Sequence, residues 1–183
     1  GYSQTSGLSN TNIGYKAGRQ NTTNANRTYV GFEAGNYNSG ANNTGIGYRA
    51  CNGYFSFGTG QGTGADNTAV GYEAMSSLNG ASAIKNTAIG VSSLGGVLTA
   101  GNNTALGYRS GYNVTSGSDN TIMGYQSMDA NTDGSENVAI GASALGAETS
   151  GDQNTAIGFE ALVAQDQQGI AINTAVGYRA DDG

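Results

Sequence analysis

The chain has 183 residues, with 32 glycines, no proline, histidine or tryptophan, one cysteine, and a formal net charge of −6 from 7 basic and 13 acidic side chains. Glycine far below one residue in three and the absence of proline exclude a collagen triple helix. The acidic balance leaves no basic stripe for phosphates, and no run approaches the ~18 apolar residues of a membrane span, so neither nucleic acid nor membrane insertion is expected.

In chain order, Gly1-Tyr2 reads as the tail of a copy already under way, after which one motif recurs to the end. Residues 1–20 lack the charged start and apolar core of a signal peptide, so the chain reads as an interior fragment of a longer protein. Aligned on their glycines, the copies fall at Gly14, Gly31, Gly47, Gly71, Gly90, Gly107, Gly124, Gly141, Gly158 and Gly177, at spacings of 17, 16, 24, 19, 17, 17, 17, 17 and 19 residues. Self-similarity at such a period means a stacked array rather than a disordered low-complexity chain, so residues 1–183 form a single repeat domain.

The columns of the repeat carry the structural expectation. Four residues before the glycine stands Asn (Arg27 in one copy), which marks a tight corner because Asn tolerates left-handed backbone. Thr follows, with Val138 the exception. Just before the glycine stand Ile13, Val30, Ile46, Val70, Ile89, Leu106, Met123, Ile140, Ile157 and Val176. Thr and β-branched aliphatics favour strand, and this aliphatic column is expected to be the repeat core. Alternation places Thr, the aliphatic and the residue after the glycine on one face. That last column is mostly aromatic, with Tyr15, Phe32, Tyr48, Tyr72, Tyr108, Tyr125, Phe159 and Tyr178 broken by Val91 and Ala142. The ten glycines are read as repeat corners or places of close backbone approach.

The next column alternates in charge over Lys16, Glu33, Arg49 and Glu73 and again over Glu160 and Arg179, as in-register stacking about 4.8 Å apart would use. Only Ala or Ser follows it. Cys51, which has no disulfide partner in the chain, sits where other copies carry Gly or Leu and reads as a small buried residue. A 17-residue coil accommodates two short strands and two turns, and eleven coils would stack to roughly 50 Å.

The longest spacer holds Tyr54-Phe55-Ser56-Phe57, and insertions in solenoids form loops on one face. Tyr54, Phe55 and Phe57 are therefore the candidate receptor-contacting residues, with gap filling or contact to a neighbouring chain as the competing reading. Smaller insertions lie around Met75–Lys85 and Val163–Ile172. Without histidine there is no Ser-His-Asp or Cys-His nucleophile, and the acids Asp66, Asp119, Glu136 and Asp152 are scattered one to a coil, so no enzyme activity is expected. Gly58–Gly64 lacks the lysine of a phosphate loop and the calcium-binding nonapeptide is absent, so no cofactor or metal is expected.

The pattern of Asn154-Thr155-Ala156-Ile157-Gly158-Phe159-Glu160-Ala161 resembles the head repeats of trimeric autotransporter adhesins. The form with an aromatic after the glycine, as in Asn67-Thr68-Ala69-Val70-Gly71-Tyr72-Glu73-Ala74, is similar to repeats of phage tail-fibre proteins. The resemblance covers essentially the whole chain, although adhesin heads use coils of about 14 residues. It implies an all-β, left-handed parallel β-roll assembled as a homotrimer, located extracellularly on a virion tail fibre or a bacterial surface and attaching to a glycan or protein receptor. Thin apolar content argues independently for trimerisation, since three rolls about one axis bury a second face of each coil. The alternatives are an ice-binding solenoid, suggested by the Thr column, and a glycan-degrading fibre domain.

Overall fold

The computed structural model describes residues 7–19, 24–53, 62–163 and 172–181. Among them are β1 (Thr11–Ile13), β2 (Thr28–Val30), β3 (Thr44–Ile46), β4 (Thr68–Val70), β5 (Ser77–Leu78), β6 (Thr87–Ile89), β7 (Val97–Leu98), β8 (Thr104–Leu106), β9 (Thr121–Met123), β10 (Val138–Ile140), β11 (Thr155–Ile157) and β12 (Thr174–Val176). One strand per copy enters a 10-stranded sheet in the order β1-β2-β3-β4-β6-β8-β9-β10-β11-β12. Every pairing is parallel and in register, so Thr104 lies between Thr87 and Thr121, and Leu106 between Ile89 and Met123. A second ladder joins β5 to β7 and continues through bridges Gly53–Leu78 and Asn38–Gly62.

The chain is thus an all-β parallel solenoid, with no helix among the described residues. Among the described residues ten sheet strands make about nine turns; the eleventh coil expected, read from Gly1-Tyr2, lies outside them. Main-chain hydrogen bonds join neighbouring coils at several points. Gly124 N–H donates to Leu106 O (2.8 Å), Gln126 N–H to Tyr108 O (2.9 Å), Thr104 N–H to Asn120 O (2.8 Å) and Gly111 N–H to Ser127 O (3.0 Å).

The core corrects the expectation. Strand alternation holds, but the face with the aliphatics points outward. Ile13, Ile46, Ile89, Leu106, Met123, Ile157 and Val176 are exposed, and Val30, Val70 and Ile140 are half-buried. The interior is built instead from the middle strand residue, which is Ala69, Ala88, Ala105, Ala139, Ala156 or Ala175, and from the Ala or Ser three places past the glycine. Four places past it come Cys51, Met75, Leu94, Met128, Leu145 and Leu162, all buried. The reason is width. At the middle strand position the interior leaves room for alanine, and a larger side chain is found there beside a glycine. Tyr29 takes an alanine slot where Gly35 and Gly45 leave room, and a Cβ on Gly45 would stand 3.0 Å from the Tyr29 ring. Ile122 does the same beside Gly111, where a Cβ would meet its Cδ1 at 2.7 Å.

Cys51 is fully buried and Asn38 Nδ2 lies 3.4 Å from its sulfur. Burial pushes the thiol up to about 12, so it stays protonated and unreactive at neutral pH. Native protein is expected to resist iodoacetamide, with Cys51 alkylated only after denaturation, as intact-mass spectrometry would read; rapid labelling of folded protein would contradict this packing.

The asparagine column also has a different role from the one expected. The left-handed corner is the residue before it, at Asn42, Asp66, Lys85, Asn102, Asp119, Glu136 and Gln153, each with φ between 56° and 61°. The asparagines from Asn43 to Asn154 are buried and tie coils together. Asn103 Oδ1 accepts the main-chain N–H of Asn120 (3.0 Å) while its Nδ2 donates to Gly117 O (2.9 Å), and the same pair of bonds recurs at Asn43, Asn67, Asn86, Asn120 and Asn137. Arg27 interrupts the column. It donates to Asn10 Oδ1 through both its main-chain N–H (3.1 Å) and Nε (3.2 Å) but has no side-chain acceptor to offer the next coil.

Glycines 14 to 158 of the repeat have φ from +129° to +141°, and a Cβ on any of them would overlap the carbonyl oxygen of the next repeat glycine. The residues two places past the glycine, such as Lys16, Glu33, Arg49 and Arg109, adopt left-handed backbone although none is Gly, Asn or Asp. Each such residue costs roughly 1–2 kcal/mol, which the inter-coil ladder must offset.

Candidate functional site

The outward face of the sheet is the largest functional candidate. Thr, aliphatic and aromatic columns run side by side along it because each strand begins at the same register and ends at the same glycine. Rings in adjacent coils stack. Tyr15, Phe32, Tyr48 and Tyr72 form one pile with centroids 4.9–5.3 Å apart, and Tyr108–Tyr125 and Phe159–Tyr178 form two shorter ones at 5.3 Å. Val91 and Ala142 mark the breaks. The exposure is large for side chains of this kind, from 36% at Met123 to 74% at Tyr178. Exposed apolar stripes of this extent are the kind of surface through which proteins commonly associate.

The charged column borders the stripe. Glu33 takes Lys16 Nζ at 3.3 Å and Arg49 Nε at 3.2 Å, and Arg179 Nε meets Glu160 at 3.2 Å. These surface pairs contribute little stability, on the order of a few tenths of a kcal/mol each. Arg109 lies 3.9 Å from Asp129 and 4.4 Å over the ring of Tyr112. Burial nonetheless raises the Asp129 carboxyl above its ordinary value, outweighing that neighbouring charge.

Tyr54, Phe55 and Phe57 lie outside the described residues. The chain positions flanking that insertion are neighbours, since a Cβ on Gly62 would stand 2.9 Å from Gly53 Cα. Asp66, Asp119 and Glu136 occupy the left-handed corner column, and Asp152 accepts the main-chain N–H of Ser135 at 2.7 Å. Among the described residues no three His, Cys, Asp or Glu side chains gather where a metal could bind, and no helix is long and apolar enough to cross a membrane.

The sequence marked the columns of this surface but not their direction. The usable signal was the middle strand position, where Ala or Gly stands in most copies, as a narrow interior requires. Searches of protein-family models, curated proteins and solved structures gave no match to the chain.

Proposed function

We propose that this chain is a segment of an extracellular homotrimeric fibre, left-handed in its winding, that gives reach and stiffness and serves attachment to a glycan or protein receptor. Its role is mechanical and adhesive rather than catalytic. One observation carries the reading, namely the exposed stripe from Ile13 to Val176 with its stacked rings. A chain whose own interior is mostly alanine leaves its larger aliphatics outside, and three copies facing a common axis would bury them. Three copies per fibre multiply weak receptor contacts without a deep pocket. The resemblance to adhesin heads and tail-fibre repeats points the same way.

The test is retention of fluorescently labelled protein on bacterial and animal cell surfaces, compared with Leu106→Asp. Leu106 is outward-facing in the single chain, so the substitution should leave the coil folded while burying a charge in any trimer. Retention that falls together with the mass of the particle supports attachment by a multivalent fibre; absence of retention from every surface would remove the attachment role.

A second reading is favoured by the same face. Thr11, Thr28, Thr44, Thr68, Thr87, Thr104 and Thr121 form an in-register ladder beside an aliphatic ladder, a regular array of the kind that orders water as ice does. Thermal hysteresis at millimolar protein would support it, and its absence would leave the fibre alone.

A further inference from the structure

We infer that a groove lined by Tyr37, Arg49, Asn52, Glu73, Ser76 and Tyr112 binds a short, neutral oligosaccharide. The inference rests on the attachment reading and names the ligand class for it. The groove has a volume of about 330 Å³. It exists because the positions five and six past the glycine are small over three successive copies, with Asn52-Gly53, Ser76-Ser77 and Gly95-Gly96, while Tyr37 and Tyr112 in the flanking copies close its ends. Four steps of the ladder separate the tyrosines' copies, roughly 19 Å along the axis. Arg49 and Glu73, from the charged column, form one side.

The chemistry of the lining selects the ligand. Tyr112 is held by the Arg109 guanidinium over its ring and by the close backbone of Gly95, where a Cβ would stand 2.9 Å from its edge. A ring fixed in this way offers apolar surface to the C–H face of a sugar. Between them lie groups that match hydroxyls. Glu73 has no ion-pair partner among the described residues and can accept hydrogen bonds, while Arg49, anchored by Glu33 at 3.2 Å, can donate them. Asn52 is 6% exposed and its Oδ1 has no hydrogen-bond partner among the described residues. Ser76 Oγ donates to Gly95 O at 3.1 Å, leaving its lone pairs as acceptors. An unpaired carboxylate on a chain of net charge −6 disfavours sialylated or sulfated glycans. The mixture of a few convergent polar groups with aromatic walls suits a neutral polyhydroxylated chain. The groove shares the charged column, through Arg49 and Glu73, with the edge of the Thr–aliphatic–aromatic face.

The test titrates the 183-residue chain with chito-, malto- and galacto-oligosaccharides, and with sialylated and sulfated glycans as counter-probes, by ligand-observed NMR. The expected result is binding of at least one neutral series, weakened about tenfold by Glu73→Gln and by Tyr112→Ala, as loss of one charge-assisted hydrogen bond or one stacking wall implies. Circular dichroism and particle mass should be unchanged in both variants, which separates loss of the site from loss of the fold. No neutral ligand binding at millimolar concentration, binding of anionic glycans only, or binding untouched by both substitutions would overturn the proposal. A fibre that sediments as a trimer yet ignores these sugars would refute the groove and leave the assembly standing.

Discussion

Gly107→Ala is expected to destabilise the protein by roughly 3–5 kcal/mol, a large fraction of the stability of a chain this size. Two terms add. The backbone there has φ +135°, a region that L side chains rarely adopt, and strain of this kind costs about 1–3 kcal/mol. The new methyl would also overlap the Gly124 carbonyl, forcing the coils apart where Gly124 N–H and Gln126 N–H bond back at 2.8 and 2.9 Å, and each lost buried bond adds about 1 kcal/mol. Because each coil touches only its neighbours, a fault in the middle divides the array. Two controls separate the terms. Gly177→Ala has nearly the same φ of +136° but nothing nearer than the Ala180 Cβ at 3.8 Å, so it should show the strain alone. Gly80→Ala, at φ +88° with nothing within 4 Å, should also cost about 1–2 kcal/mol. Urea unfolding followed by circular dichroism reads the order, and equal losses in all three would show that close coil approach contributes nothing.

Asn103→Ala is expected to cost roughly 2–5 kcal/mol, because it leaves several buried polar groups without partners at once. Asn120 loses the acceptor for its main-chain N–H (3.0 Å) and one acceptor for its Nδ2 (3.0 Å), and the Gly117 carbonyl loses its donor (2.9 Å). Asn113, whose Nδ2 bonds Asp129 O on the surface, provides the comparison, and Asn113→Ala should change stability by less than about 0.5 kcal/mol. Hydrogen exchange at Asn120 and Gly124 locates the damage. If both variants melt alike, the asparagine column is decorative.

Much of this fold was legible before any coordinates. A glycine at a near-constant interval, with an aliphatic before it and Thr three places before, dictated short parallel strands stacked in register. The sign alternation from Lys16 through Glu33 to Arg49 anticipated two ion pairs that close at 3.3 and 3.2 Å. The inward face was not legible, because alternation defines two faces and large side chains are normally the inner ones. Here Leu106 points out and Ala105 in, since the coil interior is already filled by Asn103, Ser110 and neighbouring large residues such as Leu94. The asparagines were misread for a related reason. Asn suits both a left-handed corner and a buried hydrogen-bonding rung, and only the structure separates Asn102, at φ 61°, from Asn103 beside it. Left-handed Arg109 and Leu94 had no local signal, because their conformation is imposed by the ladder and not by the side chain. The groove between Tyr37 and Tyr112 was hidden because its parts lie 75 positions apart in sequence and meet only when the coils stack.

The measurement that bears most directly on the central claim is particle mass by sedimentation equilibrium over a range of dilutions. The expected result is a species of three chains of 18.4 kDa each, reduced to one chain by Leu106→Asp without loss of the β-sheet signal. A folded 18.4 kDa monomer of the unaltered chain would contradict it, since the stripe from Ile13 to Val176 would then face water in the native particle.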